Sequence, residues 1–172
     1  MTSPLGLASG TVVVVPYDPE WPDLFLREAA RLTTSIAPLV LALEHSGSTA
    51  VPGLAAKPVL DILAGYRESV LLSSLVAALE TAGYDHRGPQ GIPEREFFRR
   101  GQPRSYHVHL TRIGSTFWKE HLAFRDRMRA DPQLRDAYGA LKLRLAGEHP
   151  RDREAYINGK TAFVRAALAH AP

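Results

Sequence analysis

A chain of 172 residues with 45% hydrophobic and 23% charged side chains has the composition of one soluble globular domain and leaves little room for two separate cores. It contains no cysteine, which excludes a disulfide framework, a thiolate metal site and a thiol nucleophile. The formal charge of +3, with no basic stripe interleaved with aromatics, favours plain solubility or a phosphate-bearing small molecule over a nucleic acid.

Residues 1–10, MTSPLGLASG, read as a mobile arm in front of a single domain over residues 11–172. They lack the basic start and apolar run of a signal peptide, and no later stretch approaches the ~20 apolar residues of a membrane span. The expectation is a cytoplasmic protein without a membrane partner; the oligomeric state is not legible. Residues 11–15 are a β-branched run that predicts a strand ended by Pro16. Asp18, Pro19 and Glu20 then offer a capping carboxylate and a proline for a helix start. That helix would run to Ala37, with Trp21, Leu24, Phe25, Ala29 and Leu32 on one face and Pro38 ending it.

Residues 40–45 (VLALEH) predict the next strand, and residues 58–64 (PVLDILA) a buried one closed by Gly65. Ser69 is placed to cap a helix that ends at Gly83, and the Gly- and Pro-rich residues 84–93 read as a loop. Residues 95–100 and 105–111 predict a hairpin around Gly101-Gln102-Pro103. Three helices follow over residues 116–129, 132–148 and 153–169; in the second, Leu134, Tyr138, Leu141 and Leu145 form a core-facing stripe. The expected class is α/β (α+β), a mixed sheet flanked by helices with a helical C-terminal half.

Chemistry concentrates between Gly47 and Asp61. Gly47-Ser48 after a strand is a tight turn whose backbone N–H groups suit a phosphate, and Lys57 adds a cation. Asp61 lies among Val59, Leu60, Ile62 and Leu63, where a carboxylate is costly unless paired, hydrogen-bonded or metal-bound. Either it fixes the core by pairing with Lys57, His109 or an arginine, or it serves a site. The segment is not a Walker A loop, and no GxGxxG fingerprint occurs.

On the strand Tyr106-His107-Val108-His109-Leu110, the period of two puts both imidazoles on one face. They could share a metal or act as acid and base, or one could be a core histidine and the other solvated. Among charges on the C-terminal helices, Arg125, Asp126, Lys142 and Lys160, with Tyr156, are the ones that could reach a site; the remainder read as solvated faces.

The segments VVPYDPEWPDLF, EHSGSTAVPGLAAKPVLDI, YHVHL, LAFRDRMRADPQLRDAYGALKLRLA and DREAYINGKTAFV, in this order over nearly the whole chain, resemble the GrpB (UPF0157) family, with its nucleotidyltransferase-like fold. The resemblance implies a pocket for a nucleotide or small phosphorylated metabolite. In it Gly47, Ser48, Thr49, Lys57, Arg125, Lys142, Tyr156 and Lys160 would meet the substrate. Asp61, His107 and His109 would be catalytic or hold a divalent metal, magnesium or a transition metal. Nucleotidyltransferases of this superfold follow the Gly-Ser turn with two acids one residue apart and a third on a neighbouring strand, which hold metal ions. Here Asp61 matches the first acid, but Leu63 stands at the second position and histidines occupy the neighbouring strand; Glu44, just before His45, could contribute another carboxylate. The alternative is a non-catalytic nucleotide- or coenzyme-A-precursor-binding module, since GrpB-like domains also occur fused to dephospho-CoA kinase.

Overall fold

The computed structural model describes residues 5–37 and 39–169, so the expected helix stop at Pro38 and residues 1–4 of the expected arm lie outside the described residues. The elements in order are α1 (Trp21–Ile36), β1 (Val40–Ser46), a 3₁₀ turn (Ser48–Ala50), β2 (Leu60–Tyr66), α2 (Leu72–Thr81), β3 (Asp85–His86), β4 (Glu96–Arg100), β5 (Tyr106–Arg112), α3 (Thr116–Ala130), α4 (Pro132–Glu148) and α5 (Arg153–Ala169). One five-stranded sheet has the order β1-β2-β5-β4-β3. Only β2 and β5 run parallel; the other neighbours are antiparallel, so the sheet is mixed as expected.

Strand alternation gives the sheet two different faces. Leu60, Ile62 and Ala64 of β2, Val108 and Leu110 of β5 and Phe98 of β4 face α1 and α2, where Trp21, Phe25, Leu32, Ile36, Leu75 and Leu79 complete the main core. Each large side chain buried there contributes roughly 1.5–3 kcal/mol. Glu28, on the same face of α1, is buried too. Its carboxylate accepts hydrogen bonds from Arg31, from Arg100 at 2.7 Å and from the Tyr84 hydroxyl at 2.8 Å, which ties α1 to β4. The other sheet face carries Asp61, His107 and His109, and the C-terminal helices pack over that side. Tyr138 of α4, Met128 of α3 and Ala167 of α5 form a second core with Val51 and Leu54 from the β1–β2 loop.

Several local expectations shift. Residues 11–15 form no strand; Val12 donates to the Pro150 carbonyl at 2.8 Å and Val15 makes an isolated bridge with Ala56, so their partners belong to two separate segments. The described part of the arm is anchored, with Leu7 buried and its N–H bound to the Arg104 carbonyl at 2.9 Å. Helix α1 begins at Trp21 rather than Pro19, because Asp18 folds onto the Glu20 N–H at 2.9 Å ahead of the first turn. Leu71, without a side-chain cap, precedes α2, so Ser69 does not cap it. Gly65 does not close β2; it lies inside the strand, where a Cβ would meet the Trp118 ring at 2.6 Å. The expected loop contains the short edge strand β3, preceded by buried Tyr84. In the C-terminal half, Ser115 and Asp131 accept from Trp118 and Leu134 N–H groups at 3.1 and 2.9 Å, which sets the starts of α3 and α4.

Candidate functional site

Parallel pairing of β2 and β5 sets Asp61 beside His107 and Leu63 beside His109. All four therefore share the face turned to the C-terminal helices. The Asp61 Oδ1 accepts from His107 Nδ1 and from His109 Nε2, both at 3.0 Å. These bonds place a proton on Nδ1 of one ring and Nε2 of the other. The opposite nitrogens, His107 Nε2 and His109 Nδ1, are buried and have no hydrogen-bond partner; the Phe97 ring packs against both imidazoles at 4.9 and 5.3 Å. Burial pushes the Asp61 carboxyl up, but the two imidazole donors prevail and hold it well below the usual carboxylate range. Burial also lowers His107, against the pull of the Asp61 charge. The three residues' donor atoms all lie within 4.8 Å of one another.

The turn after β1 is built around this carboxylate. Gly47 has φ +68°, and a Cβ there would lie 2.6 Å from Asp61 Oδ2, so only glycine lets the backbone pass so close. Ser46 is fully buried and its hydroxyl donates to the Asp61 carbonyl at 3.2 Å. Ser48 opens the 3₁₀ turn, and the Thr49 hydroxyl meets His45 Nε2 at 3.0 Å.

A cavity of about 360 Å³ opens above these groups. Its wall includes six basic side chains, Lys57, Arg95, Arg104, Lys142, Arg153 and Lys160, against two acids, Asp61 and Glu120. Lys57 Nζ and Lys160 Nζ lie 4.8 and 4.4 Å from the centre of the buried Tyr156 ring. Burial, with neighbouring cations adding to it, lowers both amines to about 8. Lys142 is only 2% exposed, and its amine donates to the Ala55 carbonyl, which makes it a brace for the β1–β2 loop as well as a wall residue; burial, with Lys160 and Lys57 adding to it, pushes its pKa well below the usual lysine range. Phe124, Val164 and Leu168 supply an apolar stretch of the lining.

Of the residues singled out from sequence, Gly47, Ser48, Thr49, Lys57, Asp61, His107, His109, Lys142, Tyr156 and Lys160 all border this one cavity. Arg125 does not. Its guanidinium binds Glu44 at 2.7 Å, Asp126 at 2.7 Å and the His45 carbonyl at 3.0 Å, pinning α3 to β1. Those bonds occupy Glu44, so it adds no free second carboxylate. Sequence reading passed over Arg95, Arg104, Arg153 and His121. Arg95 could have been found, since strand alternation puts it on the same face as Phe97, which pairs with His109. His121, one helical turn into α3, donates its Nδ1 proton to the Phe117 carbonyl at 2.9 Å and lies 6.0 Å from the His109 ring.

This sheet and its helices define an α+β protein of nucleotidyltransferase-like fold. The Cid1 poly(U) polymerase superposes on it with a TM-score of 0.55 at 11% identity, over 85% of this chain and 49% of that one. The GLD-2/RNP-8 complex gives 0.56 at 15% identity, over 87% and 60%. At such identities the likeness is one of fold alone. The crystal structure of the conserved protein GrpB from Enterococcus faecalis gives a TM-score of 0.84 at 36% identity, over 92% of this chain and 96% of that one. The family described as GrpB protein matches residues 11–170, and the chain belongs to it. Relatives include the UPF0157 protein YqkA of Bacillus subtilis, 35% identical over 161 residues, and a dephospho-CoA kinase of Mycolicibacterium paratuberculosis, 30% identical over 191 residues. The chain spans about half the length of these two, 47% of each. Among the described residues, no helix is long and apolar enough to cross a membrane.

Proposed function

We propose that this protein binds and acts on a nucleotide or another small phosphorylated metabolite. The phosphate would lie near Lys57, Lys160 and the Gly47-Ser48 turn, facing a divalent ion held by Asp61, His107 and His109. The observation that carries this reading is the charge of the cavity: six basic side chains, of which burial disfavours the charge on Lys142 most, and two acids line one concave space of about 360 Å³. Such an excess is self-repelling until an anion neutralises it, and low-dielectric walls strengthen that attraction. Tyr156 and the apolar stretch at Phe124, Val164 and Leu168 suit the uncharged remainder of a ligand. The nucleotidyltransferase-like fold and the sequence match to a dephospho-CoA kinase support a nucleotide or a coenzyme A precursor as the class.

A bound divalent ion would neutralise phosphate charge and polarise the P–O bond under attack. The protein's own groups would orient the phosphate through the lysines, and before the ion binds the two imidazole donors would keep Asp61 ionised and ready for it. Helices α3, α4 and α5, packed over the sheet face, would limit water.

Leu63 favours a second reading, a binding module without turnover. It stands where nucleotidyltransferases carry a second acid, and it is fully buried. Calorimetric titration with ADP, ATP, dephospho-CoA and pyrophosphate tests the binding claim. Saturable binding that weakens in Lys160→Ala and Arg104→Ala is expected; no binding of any of the four in a folded wild-type chain would overturn it. Metal-dependent product formation then separates enzyme from module.

A further inference from the structure

The nucleotidyltransferase resemblance brings with it a pair of magnesium ions on two or three carboxylates. The residues here do not fit such a pair. Among the described residues, Asp61 is the one carboxylate at the imidazole cluster, Leu63 fills the next position on the same strand face, and Glu44 is bound to Arg125. Two magnesium ions would add four positive charges to a cavity already lined by six basic side chains and two acids. Magnesium prefers a near-complete oxygen shell, whereas imidazole suits zinc, copper, iron and nickel.

We propose that Asp61, His107 and His109 form a site for a single transition-metal ion of borderline softness, such as zinc, iron(II) or cobalt(II), and not for magnesium. Two strands in fixed register present the three side chains. Two of the donor–donor separations are 3.0 Å, and all are within 4.8 Å. Donors at about 2.0–2.2 Å from one zinc ion lie at comparable separations from each other, so the cluster needs little rearrangement. The ion takes the place of the protons on His107 Nδ1 and His109 Nε2. Each proton moves to the other nitrogen of its own ring, so neutral rings release none. Those far nitrogens have no hydrogen-bond partner now, so no existing bond to them is lost. The three side chains are 28%, 14% and 12% exposed, so open coordination positions would face the cavity, where the phosphate of the proposed ligand would sit. The identity of the ion deepens the reading above but is testable apart from it.

The test is titration of the full chain with cobalt(II), zinc and magnesium, followed by calorimetry and by the visible d–d absorption of cobalt. One cobalt ion per chain is expected, with affinity for cobalt and zinc about tenfold or more above that for magnesium, and loss of the absorption in Asp61→Asn and His107→Gln. Two ions per chain, equal magnesium affinity, or unchanged cobalt binding in a folded Asp61→Asn variant would overturn the proposal. Should the variants fail to fold, the cobalt–magnesium competition on the wild-type chain decides alone. Pyrophosphate titration in the presence of a chelator separates the two claims: its failure sinks anion binding by the lysines, and leaves the metal result standing or falling by itself.

Discussion

The Asp61 carboxylate and the Cα of Gly47 approach so closely that a methyl group on Gly47 would lie 2.6 Å from Asp61 Oδ2. Turn and carboxylate are thus a single steric unit. Gly47→Ala must shift one of them and also strain a backbone at φ +68°. The expected cost is about 1–3 kcal/mol of stability, read as a lower urea midpoint, together with weaker cobalt binding. A variant with wild-type stability and wild-type cobalt affinity would show that the turn does not constrain the carboxylate.

Arg125 serves as the control outside the cavity. Arg125→Ala removes bonds to Glu44 and to the His45 carbonyl and should cost about 1–3 kcal/mol. Nucleotide affinity should stay within about twofold, as Arg125 does not border the cavity. A selective loss of affinity, with stability intact, would return Arg125 to the ligand.

If the proposed phosphate site is right, ligand binding should be sensitive to mild alkali. Lys57 and Lys160 are lowered to about 8, chiefly by burial. On the proposed reading they hold the phosphate when protonated, so affinity for ADP should fall as pH rises from 7 to 9.5, by about tenfold or more. Lysines with ordinary values would keep it nearly constant until about pH 10. Lys160→Arg should flatten the profile; a flat wild-type profile would contradict the role given to both amines.

Acid should destabilise the fold before the ordinary carboxylates titrate. Burial lowers His45 and His121 to about 4. In the unfolded chain they titrate near 6.5, so that state binds more protons between these values. Stability is then fully present above about pH 6.5 and is lost as pH falls towards 4, by up to about 3 kcal/mol for each group. Urea midpoints measured at pH 7.5 and pH 5 check this, and equal midpoints would refute it.

The clustering of Asp61 with His107 and His109 was legible because periodicity decides it. A period of two sends His107 and His109 to one face, and an apolar strand makes Asp61 conspicuous. The second C-terminal helix announced itself through the stripe of Leu134, Tyr138, Leu141 and Leu145. What escaped depends on contacts between distant segments. Residues 11–15 look like a strand by β-branching, yet Val12 and Val15 bond to Pro150 and Ala56 rather than to one neighbour. Arg125 looked like a ligand contact because nothing local reveals that β1 offers it Glu44. Arg104 and Arg153 border the cavity from a hairpin and a helix start that are adjacent only once the sheet and α5 have packed.

A crystal structure grown with ADP and cobalt(II) tests the central claim most directly, with the ion located by its anomalous signal. The account predicts nucleotide phosphate near Lys57 and Lys160 and one ion ligated by Asp61, His107 and His109. Nucleotide bound elsewhere on a chain whose cavity stays free of phosphate would contradict it.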